Sequence, residues 1–336
     1  MELFAKGQNG QYPIRILRGG LSRAGEFFAL DRRVMIVTDS GVPADYALTV
    51  CGLCREGHIF TLPRGEGSKS VGHWSSLLGR MLSLGFERGD CLVAVGGGVV
   101  GDLAGFAAGC YMRGIDFYNI PTTLLSQVDA SVGGKCAVDM NGTKNPVGLF
   151  YPPKGVFIDP ELLSTLSRRE LLCGYAEALK MALTCDEELF EIFESGRADE
   201  RTDEMIERAL RIKIKITDED EREAGLRRVL NFGHTLGHAI EAASPGLLHG
   251  ECVALGMLPM CSPEVRKRLI AVLEKLGLPT RCTFDIEKAK AALAHDKKSG
   301  QSGVCCVRVD KIGSYAFENK TLEELSCMFD FYGDRI

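Results

Sequence analysis

The sequence predicts a two-domain protein, with an α/β domain over residues 1–159 and a mainly α-helical domain over residues 160–336. Short strand-like runs alternate with helical segments up to about residue 160. After Asp159-Pro160 the apolar residues recur instead at the period of long helices. Together, these two patterns predict a sheet of mostly parallel strands followed by a helical domain.

Six strand-like runs support the α/β assignment of the first domain. Each is short, apolar and bounded by turn residues, which is typical of buried strands. The runs cover residues 14–17, 34–38, 59–62, 92–95, 117–120 and 156–158. In the second domain, five stretches have helical periodicity and predict helices over residues 168–183, 203–216, 229–242, 251–260 and 263–276.

Composition limits the possible partners and the compartment. The formal charge of −5 argues against nucleic-acid binding and against an anionic membrane surface. There is neither an 18-residue apolar run nor a signal-peptide pattern, so the expected location is the cytosol. Thirteen cysteines, an odd number scattered through apolar contexts, predict free thiols. The single C-x-x-C pair, Cys51 and Cys54, has no second pair of this kind and predicts no metal site.

A glycine cluster marks a candidate phosphate site. Residues 91–95 predict a buried strand, Gly96-Gly97-Gly98 follow at once, and residues 100–111 predict a helix. A phosphate could approach a backbone without Cβ atoms and meet the N–H groups of the helix N-terminus. The alternative is close packing of strand against helix. The motif GGGVVGD lacks the G-x-G-x-x-G spacing of a standard dinucleotide fingerprint, so the domain is predicted to be Rossmann-like only in the broad sense.

Histidines and a glutamate in the second domain predict a metal site. The motif RRVLNFGHTLGHAIE places Asn231, His234, His238 and Glu241 at helical spacings of three and four, and His249 follows in HGE. Such a His/Glu set suits zinc with one position open for substrate. Spacing alone favours His234 and His238 as the ligand pair.

A second helical motif, GYAEALKMAL, adds two charges to the candidate site. Glu177 and Lys180 are three residues apart and therefore share one face of the predicted helix. An ordinary exposed ion pair is the alternative to a functional role.

With these motifs in view, the chain resembles the 3-dehydroquinate synthase family of sugar-phosphate cyclases over most of its length. The matching motifs, in order, are PRGEGSK, GGGVVGD, YMRG, PTTLLSQVDASVGGK, GTKNPVG, GYAEALK, KIKITDEDEREAGLRRVLNFGHTLGHAIE, HGE and the late DKK. The resemblance implies NAD and one divalent metal, usually zinc and alternatively cobalt, in a cleft between the two domains. It also implies a homodimer.

The resemblance assigns the metal ligands as Glu177, His234 and His249, which replaces the pair favoured by spacing and moves His238 to the substrate. It implies an NAD site formed by Asp39, Glu66, Lys69, Gly97, Gly98, Asp102, Thr122, Thr123, Lys144, Leu162 and Thr165.

The substrate site implied by the resemblance is rich in cations. Its residues are Arg113, Asp129, Lys135, Asn145, Lys180, Lys213, Arg227, Asn231, His238 and Lys297. Six of these ten are lysine or arginine in a protein that is acidic overall, so the set predicts a substrate with both a carboxylate and a phosphate. Catalytic roles are implied for Lys135, Lys180, Lys213, Arg227 and Asn231, and His238 is the candidate for proton shuttling at the C5 oxygen.

The implied reaction converts 3-deoxy-D-arabino-heptulosonate 7-phosphate to 3-dehydroquinate and phosphate. Its steps are oxidation by NAD at C5, β-elimination of phosphate, reduction, ring opening and intramolecular aldol closure. NAD is therefore a bound cofactor that is not consumed overall.

Two departures and three alternatives accompany the resemblance. Residues 259–266 replace a longer helical connection of the family, where Pro259 and Pro263 predict the end of one helix and the start of another. Gly41 stands where relatives often carry a polar residue, which predicts weaker binding of NAD. The alternatives are a sister cyclase such as 2-deoxy-scyllo-inosose or valiolone synthase, a metal-dependent polyol dehydrogenase, and a non-catalytic scaffold.

Overall fold

The computed structural model describes residues 1–7, 10–296 and 303–333. The chain divides into two compact units, Met1–Ser167 with Lys213–Asp218, and Arg168–Ile212 with Glu219–Ile336. One helix, Thr202–Glu219, contributes residues to both units.

The first unit is built on a seven-stranded sheet of β1 (Glu2–Gly7), β2 (Gly10–Ile16), β3 (Arg33–Asp39), β4 (Glu56–Leu62), β5 (Cys91–Gly96), β6 (Asp116–Pro121) and β9 (Gly155–Ile158), and a separate hairpin joins β7 (Lys135–Met140) to β8 (Thr143–Phe150). The order of the strands in the sheet is β1-β2-β9-β6-β5-β3-β4. In this sheet β1 and β2 pair antiparallel, and the other neighbours are parallel. Its helices are α1 (Ala44–Gly52), α2 (Val71–Ser83) and α3 (Gly98–Cys110).

The parallel sheet is covered on both faces, which explains why its strands read as continuous apolar runs. All six residues of β5 are buried. Leu92 and Ala94 belong to one apolar cluster, whereas Cys91, Val93 and Val95 belong to another. Because successive side chains of a strand point to opposite faces, this alternation places a core on each side of the sheet. The predicted α/β first domain is confirmed.

The second unit is mainly helical, as predicted. Its helices are α4 (Arg168–Cys185), α5 (Glu187–Glu194), α6 (Thr202–Glu219), α7 (His234–Ala243), α8 (His249–Met257), α9 (Pro263–Leu276), α10 (Ile286–Asp296), α11 (Leu322–Cys327) and α12 (Asp330–Gly333), and β10 (Val304–Arg308) pairs with β11 (Ala316–Lys320). Within the described ranges, no helix is both long enough and apolar enough to cross a membrane. All thirteen cysteines are unpaired.

One predicted helix begins later than expected. The helix predicted over residues 229–242 begins only at His234, and Asn231 lies instead in a 3₁₀ turn, Leu226–Asn231. The two segments are separated at Gly233, whose φ of 78° is left-handed and cannot continue a right-handed helix.

The prediction that Pro259 and Pro263 mark the end of one helix and the start of another is confirmed. The helix α8 ends at Met257, and α9 begins at Pro263.

Candidate functional site

Three helices of the second unit carry the predicted metal ligands. Glu177 lies on α4, His234 is the first residue of α7, and His249 is the first residue of α8. One carboxylate oxygen, Glu177 Oε1, lies 3.5 Å from His234 Nε2 and 3.4 Å from His249 Nε2. The three side chains therefore converge on one point, although they are 57 and 15 residues apart in sequence.

His238 lies at the same place. Its ring centroid is 5.3 Å from that of His234 and 5.6 Å from that of His249. Donor nitrogens of these three histidines fall within 4.8 Å of one another, so three imidazoles could also share an ion. The geometry thus brings together both the ligand pair favoured by spacing and the ligand set implied by the resemblance.

The state of the Glu177 carboxylate favours its role as a ligand. The residue is 2% exposed, and its two oxygens face the Lys180 ammonium group and the imidazoles of His234 and His249. A buried carboxylate is costly unless cations or hydrogen-bond donors compensate it, and a divalent ion shared with the two imidazoles would do so. Glutamate oxygen with imidazole nitrogen is a donor set that binds zinc or cobalt, so the residues fit a divalent ion of this kind.

Glycines allow the three ligand-bearing helices to approach one another. A Cβ at Gly256 of α8 would lie 2.1 Å from the carbonyl oxygen of Gly233, next to the start of α7. A Cβ at Gly250 would lie 2.4 Å from Cys173 Cα of α4. Neither position has room for a side chain, so glycine at both sites sets the separations of α7 from α8 and of α4 from α8.

Lys180 places an ammonium group beside the predicted ligand Glu177. Its Nζ lies 2.5 Å from Glu177 Oε2, and the two side chains are 1% and 2% exposed. The alternative of an ordinary exposed ion pair is therefore wrong. Burial alone would raise the pKa of Glu177, but the Lys180 cation and the two imidazoles hold that pKa well below its ordinary value.

The two candidate histidine ligands differ in their electrostatics. Burial lowers the pKa of His234 to about 3, and the carboxylate of Glu177 only partly opposes this. Burial also lowers the pKa of His249, but its hydrogen bonds to Glu177 and Glu241 outweigh burial and raise that pKa to about 9. At neutral pH the fold itself therefore favours a neutral His234, which is the form that binds metal.

Two further predicted substrate residues of the second unit, Arg227 and Asn231, come after α6 in the sequence. Arg227 and Asn231 lie in the 3₁₀ turn before α7, where the Arg227 side chain is buried and donates through Nη1 to the Glu221 carbonyl. Asn231 Nδ2 donates to Glu223 Oε1 over 2.5 Å. Glu223, whose φ is 61°, was not predicted, and no spacing pattern in the sequence identifies it.

The first unit presents the glycine cluster at the N-terminus of α3. Gly97 precedes the helix as its N-cap, and a Cβ there would lie 3.0 Å from Thr123 Cγ2. A Cβ at Gly96 would lie 2.6 Å from Val100 Cγ2. Close strand-helix packing therefore explains Gly96, whereas Gly97 leaves the first-turn N–H groups of α3 uncapped by a side chain. This combination fits the approach of a phosphate-bearing cofactor such as NAD.

Two predicted NAD residues, Lys69 and Asp102, form an ion pair in the first unit. Lys69 Nζ lies 2.5 Å from Asp102 Oδ2, and the Lys69 side chain is buried. Burial lowers the pKa of Lys69, but Asp102 outweighs it and the pKa is raised. Thr165 Oγ1 lies 3.2 Å from the Tyr46 hydroxyl. The other predicted members lie at strand ends, in 3₁₀ turns, at the start of α3 and on the hairpin of this unit: Asp39, Glu66, Gly98, Thr122, Lys144 and Leu162.

An ion pair of predicted substrate residues lies at an unusual turn. Lys213 Nζ contacts Asp129 Oδ1, and both side chains are at most 15% exposed. Asp129 belongs to a single π-helical turn, Ser126–Ala130, a conformation found frequently at functional sites. On the hairpin, Lys135 begins β7, and Asn145 in β8 has a left-handed φ of 56° and donates its N–H to Asp139.

Arg113 occupies a different part of the first unit. It lines a cavity of about 310 Å³ together with Gln11, Arg88 and Lys154. In the described chain no other predicted site residue lines this cavity. Lys297, the remaining predicted substrate residue, lies outside the described residues.

Comparison with known proteins identifies relatives over nearly the whole chain. The family model of the 3-dehydroquinate synthase N-terminal region matches residues 59–173 of this chain. The family model of the C-terminal region matches residues 174–299. A 3-dehydroquinate synthase of Streptococcus suis is 38% identical over 97% of this chain and 98% of that protein.

Two solved structures have the same fold. A 2-deoxy-scyllo-inosose synthase complexed with carbaglucose-6-phosphate, NAD⁺ and Co²⁺ has a TM-score of 0.89 and 26% identity, covering 99% of this chain and 100% of that one. The 2-epi-5-epi-valiolone synthase of Streptomyces hygroscopicus, with NAD⁺ and Zn²⁺ bound, has a TM-score of 0.87 and 29% identity, covering 97% of each chain.

Proposed function

The chain belongs to the 3-dehydroquinate synthase family, and from this membership we infer that it is the enzyme that converts 3-deoxy-D-arabino-heptulosonate 7-phosphate into 3-dehydroquinate and phosphate. This reaction is a step of the shikimate pathway toward aromatic amino acids. The structural observation that carries the inference is the convergence of Glu177 on His234 and His249.

In reaction class, the proposal is a carbon–oxygen lyase that uses NAD and one divalent metal, zinc or cobalt. When bound, NAD supplies a hydride acceptor at C5 and the metal a Lewis acid toward the C4 and C5 oxygens. Glu177, His234 and His249 would hold the metal. The Gly97 turn and the N-terminus of α3 would hold the cofactor phosphates, with Lys69 and Asp102 beside them.

Residues of the second unit are assigned to the substrate by their charge and burial. Lys180 and Arg227 are buried cations that would attract an anionic group strongly, because little water screens them. Asn231 would donate a hydrogen bond, held in place by Glu223. His238 would move a proton at the C5 oxygen, since an imidazole can donate or accept a proton near neutral pH.

Residues of the first unit are assigned to the same substrate. Lys213 would donate to it while Asp129 orients the ammonium group, and Lys135 would stabilise the negative charge of the departing phosphate. Asn145 and Arg113 of this unit complete the proposed set, Arg113 from the separate cavity described above, together with Lys297 of the second unit, which lies outside the described residues. We also propose that the protein is a cytoplasmic homodimer. Light scattering of the purified protein would test its oligomeric state.

The decisive experiment combines purified protein, NAD, zinc or cobalt and 3-deoxy-D-arabino-heptulosonate 7-phosphate. Inorganic phosphate and 3-dehydroquinate should appear together in equal amounts, without accumulation of NADH. Phosphate without the carbocycle would contradict the proposed reaction. Stoichiometric NADH absorbance would indicate a polyol dehydrogenase instead.

A ligand variant tests the metal assignment. His249→Ala should abolish phosphate release because one of three metal ligands is removed. Unchanged turnover would refute the assignment of His249. The matched comparison is His58→Ala, a histidine of the first unit whose ring contacts Glu56 on the sheet and which has no assigned role.

A sister cyclase is the second candidate, and the TM-score of 0.89 to 2-deoxy-scyllo-inosose synthase is the observation that favours it. The identity to that enzyme is 26%, against 38% to a 3-dehydroquinate synthase. Turnover of each family's sugar phosphate by the same preparation distinguishes the two candidates.

A further inference from the structure

Glu241 contacts the proposed metal ligand His249 at the ring nitrogen that does not face Glu177. It lies on α7, seven residues after His234, and its Oε2 is 3.2 Å from Nδ1 of His249 on α8. The other ring nitrogen, His249 Nε2, is the one that lies 3.4 Å from Glu177 Oε1. The imidazole is therefore held by one carboxylate at each nitrogen.

The two candidate imidazole ligands share this arrangement but differ in the acceptor. His234 Nδ1 lies 3.2 Å from the backbone carbonyl of Phe232, and its Nε2 faces the same Glu177 oxygen. In each ring, Nδ1 thus faces an acceptor and Nε2 faces the metal ligands. An imidazole that binds a metal through Nε2 carries its proton on Nδ1, where a carbonyl or carboxylate can accept a hydrogen bond.

From this geometry we propose that Glu241 is a positioning residue, which fixes the ring orientation and tautomer of His249 and strengthens its bond to the metal. The inference rests on the proposed metal site. A carboxylate acceptor makes a charge-assisted hydrogen bond, stronger than that of a neutral carbonyl, and makes the imidazole a more basic ligand. Glu241 is 19% exposed, so solvent screens this interaction only partly.

The place of Glu241 on α7 suits this function. His234 and Glu241 are separated by two helical turns and lie on the same face, which is directed toward α8. One helix thereby supplies both a ligand and the group that orients a ligand of its neighbour. The close contact at Gly256 and Gly233 keeps the two helices at the distance that this hydrogen bond needs.

The test is the affinity for metal, measured without turnover. Zinc and cobalt dissociation constants of the full chain are measured by competition with a chromophoric chelator, and the visible spectrum of bound Co²⁺ reports ligand geometry. Glu241→Ala should weaken binding by about 10- to 100-fold and change the Co²⁺ spectrum. Glu241→Gln keeps an acceptor oxygen of the same shape and should recover part of the affinity. Glu200→Ala, which removes a 69% exposed glutamate of the same unit, is the control and should bind normally.

Wild-type affinity and spectrum in Glu241→Ala, while His249→Ala loses metal, would overturn the positioning function and leave the proposed enzyme intact. Absence of metal binding by the wild-type protein would overturn the proposed function, and the inference with it. If Glu241→Ala does not fold, Glu241→Gln decides: affinity and a Co²⁺ spectrum identical to wild type in that variant would count against the charge-assisted bond.

Discussion

Arg169 of α4 holds both carboxylate oxygens of Glu251 on α8. Its Nε lies 2.7 Å from Oε1 and its Nη2 lies 2.6 Å from Oε2. The same Glu251 accepts the N–H of Leu248 over 2.7 Å and so caps the first turn of α8. Because α4 carries Glu177 and α8 begins with His249, this ion pair holds together two helices that carry proposed metal ligands.

Removing this ion pair should loosen the metal site as well as the fold. Glu251→Ala is expected to lower the free energy of unfolding by about 1–3 kcal/mol, because a charged hydrogen-bond network is lost and Arg169 keeps, among the described residues, only the Gly246 carbonyl as an acceptor. Chemical denaturation without zinc measures the loss of stability, and the additional stability gained when zinc is present reports how well the metal site binds. Glu264→Ala, which removes an exposed acid from the first turn of α9, should change neither quantity appreciably.

The contribution of Glu251 should depend on pH. Burial alone would raise the pKa of Glu251, but the hydrogen bonds from Arg169 and Leu248 lower it below the ordinary value of 4.5. A carboxyl whose pKa is lower in the folded state stabilises the protein fully above pH 4.5, and this stability is lost as the pH falls through the folded pKa. The difference in unfolding free energy between wild type and Glu251→Gln should therefore be constant from pH 7 to about 5 and shrink below 4.5. A difference that grows in acid would contradict this explanation.

A methyl group between α7 and α8 should separate the two histidine ligands. The Cβ of Gly256→Ala would lie 2.1 Å from a carbonyl oxygen, which is backbone and cannot rotate away. We expect a loss of stability of at least about 1–3 kcal/mol and weaker binding of zinc. Gly246→Ala is the control, since no atom lies within 4 Å of its Cβ position. Normal zinc affinity in Gly256→Ala would show that the helix separation does not control the site.

The side chain of Arg64 fills the space beside Gly41. A Cβ at Gly41 would lie 2.6 Å from Arg64 Cδ and 3.0 Å from Asp39 Oδ1. If a polar residue here contacts the cofactor, Gly41→Asn in an Arg64→Ala background should tighten NAD binding by about 2- to 10-fold, the value of one hydrogen bond. Arg64→Ala alone is the matched control, and calorimetric titration with NAD is the measurement. Equal NAD affinity in the two variants would contradict the prediction that glycine at position 41 weakens the binding of NAD.

Local signals account for the elements that were predicted well. The helix Pro263–Leu276 agrees with its prediction at both ends because Ser262 caps it, Pro263 begins it and Gly277 ends it in a left-handed conformation. The start of α7 was wrong because apolar periodicity continues through Phe232 and Gly233, where only the backbone angle of Gly233 breaks the helix. The hairpin of β7 and β8 was missed, and its β8 residues are largely exposed and lack a periodic apolar pattern.

The spacing of residues along one helix predicts only part of the candidate metal site. Spacing on one helix favoured His234 with His238, and both lie at the site. Glu177 and His249 join them through contacts between three helices, which no local pattern encodes. Only the resemblance pointed to that set, and its ligand roles stay a prediction that the variants above can test.

The steric contact between residue 256 and the carbonyl of Gly233 also limits how this centre could be re-engineered for another ion. The proposed donor atoms can be exchanged by substitution at residues 177, 234 and 249, whereas hydrogen is the only side chain that residues 250 and 256 can accept without displacing neighbouring backbone. A combinatorial library aimed at altered ion preference should therefore keep both glycines constant and vary the donors alone.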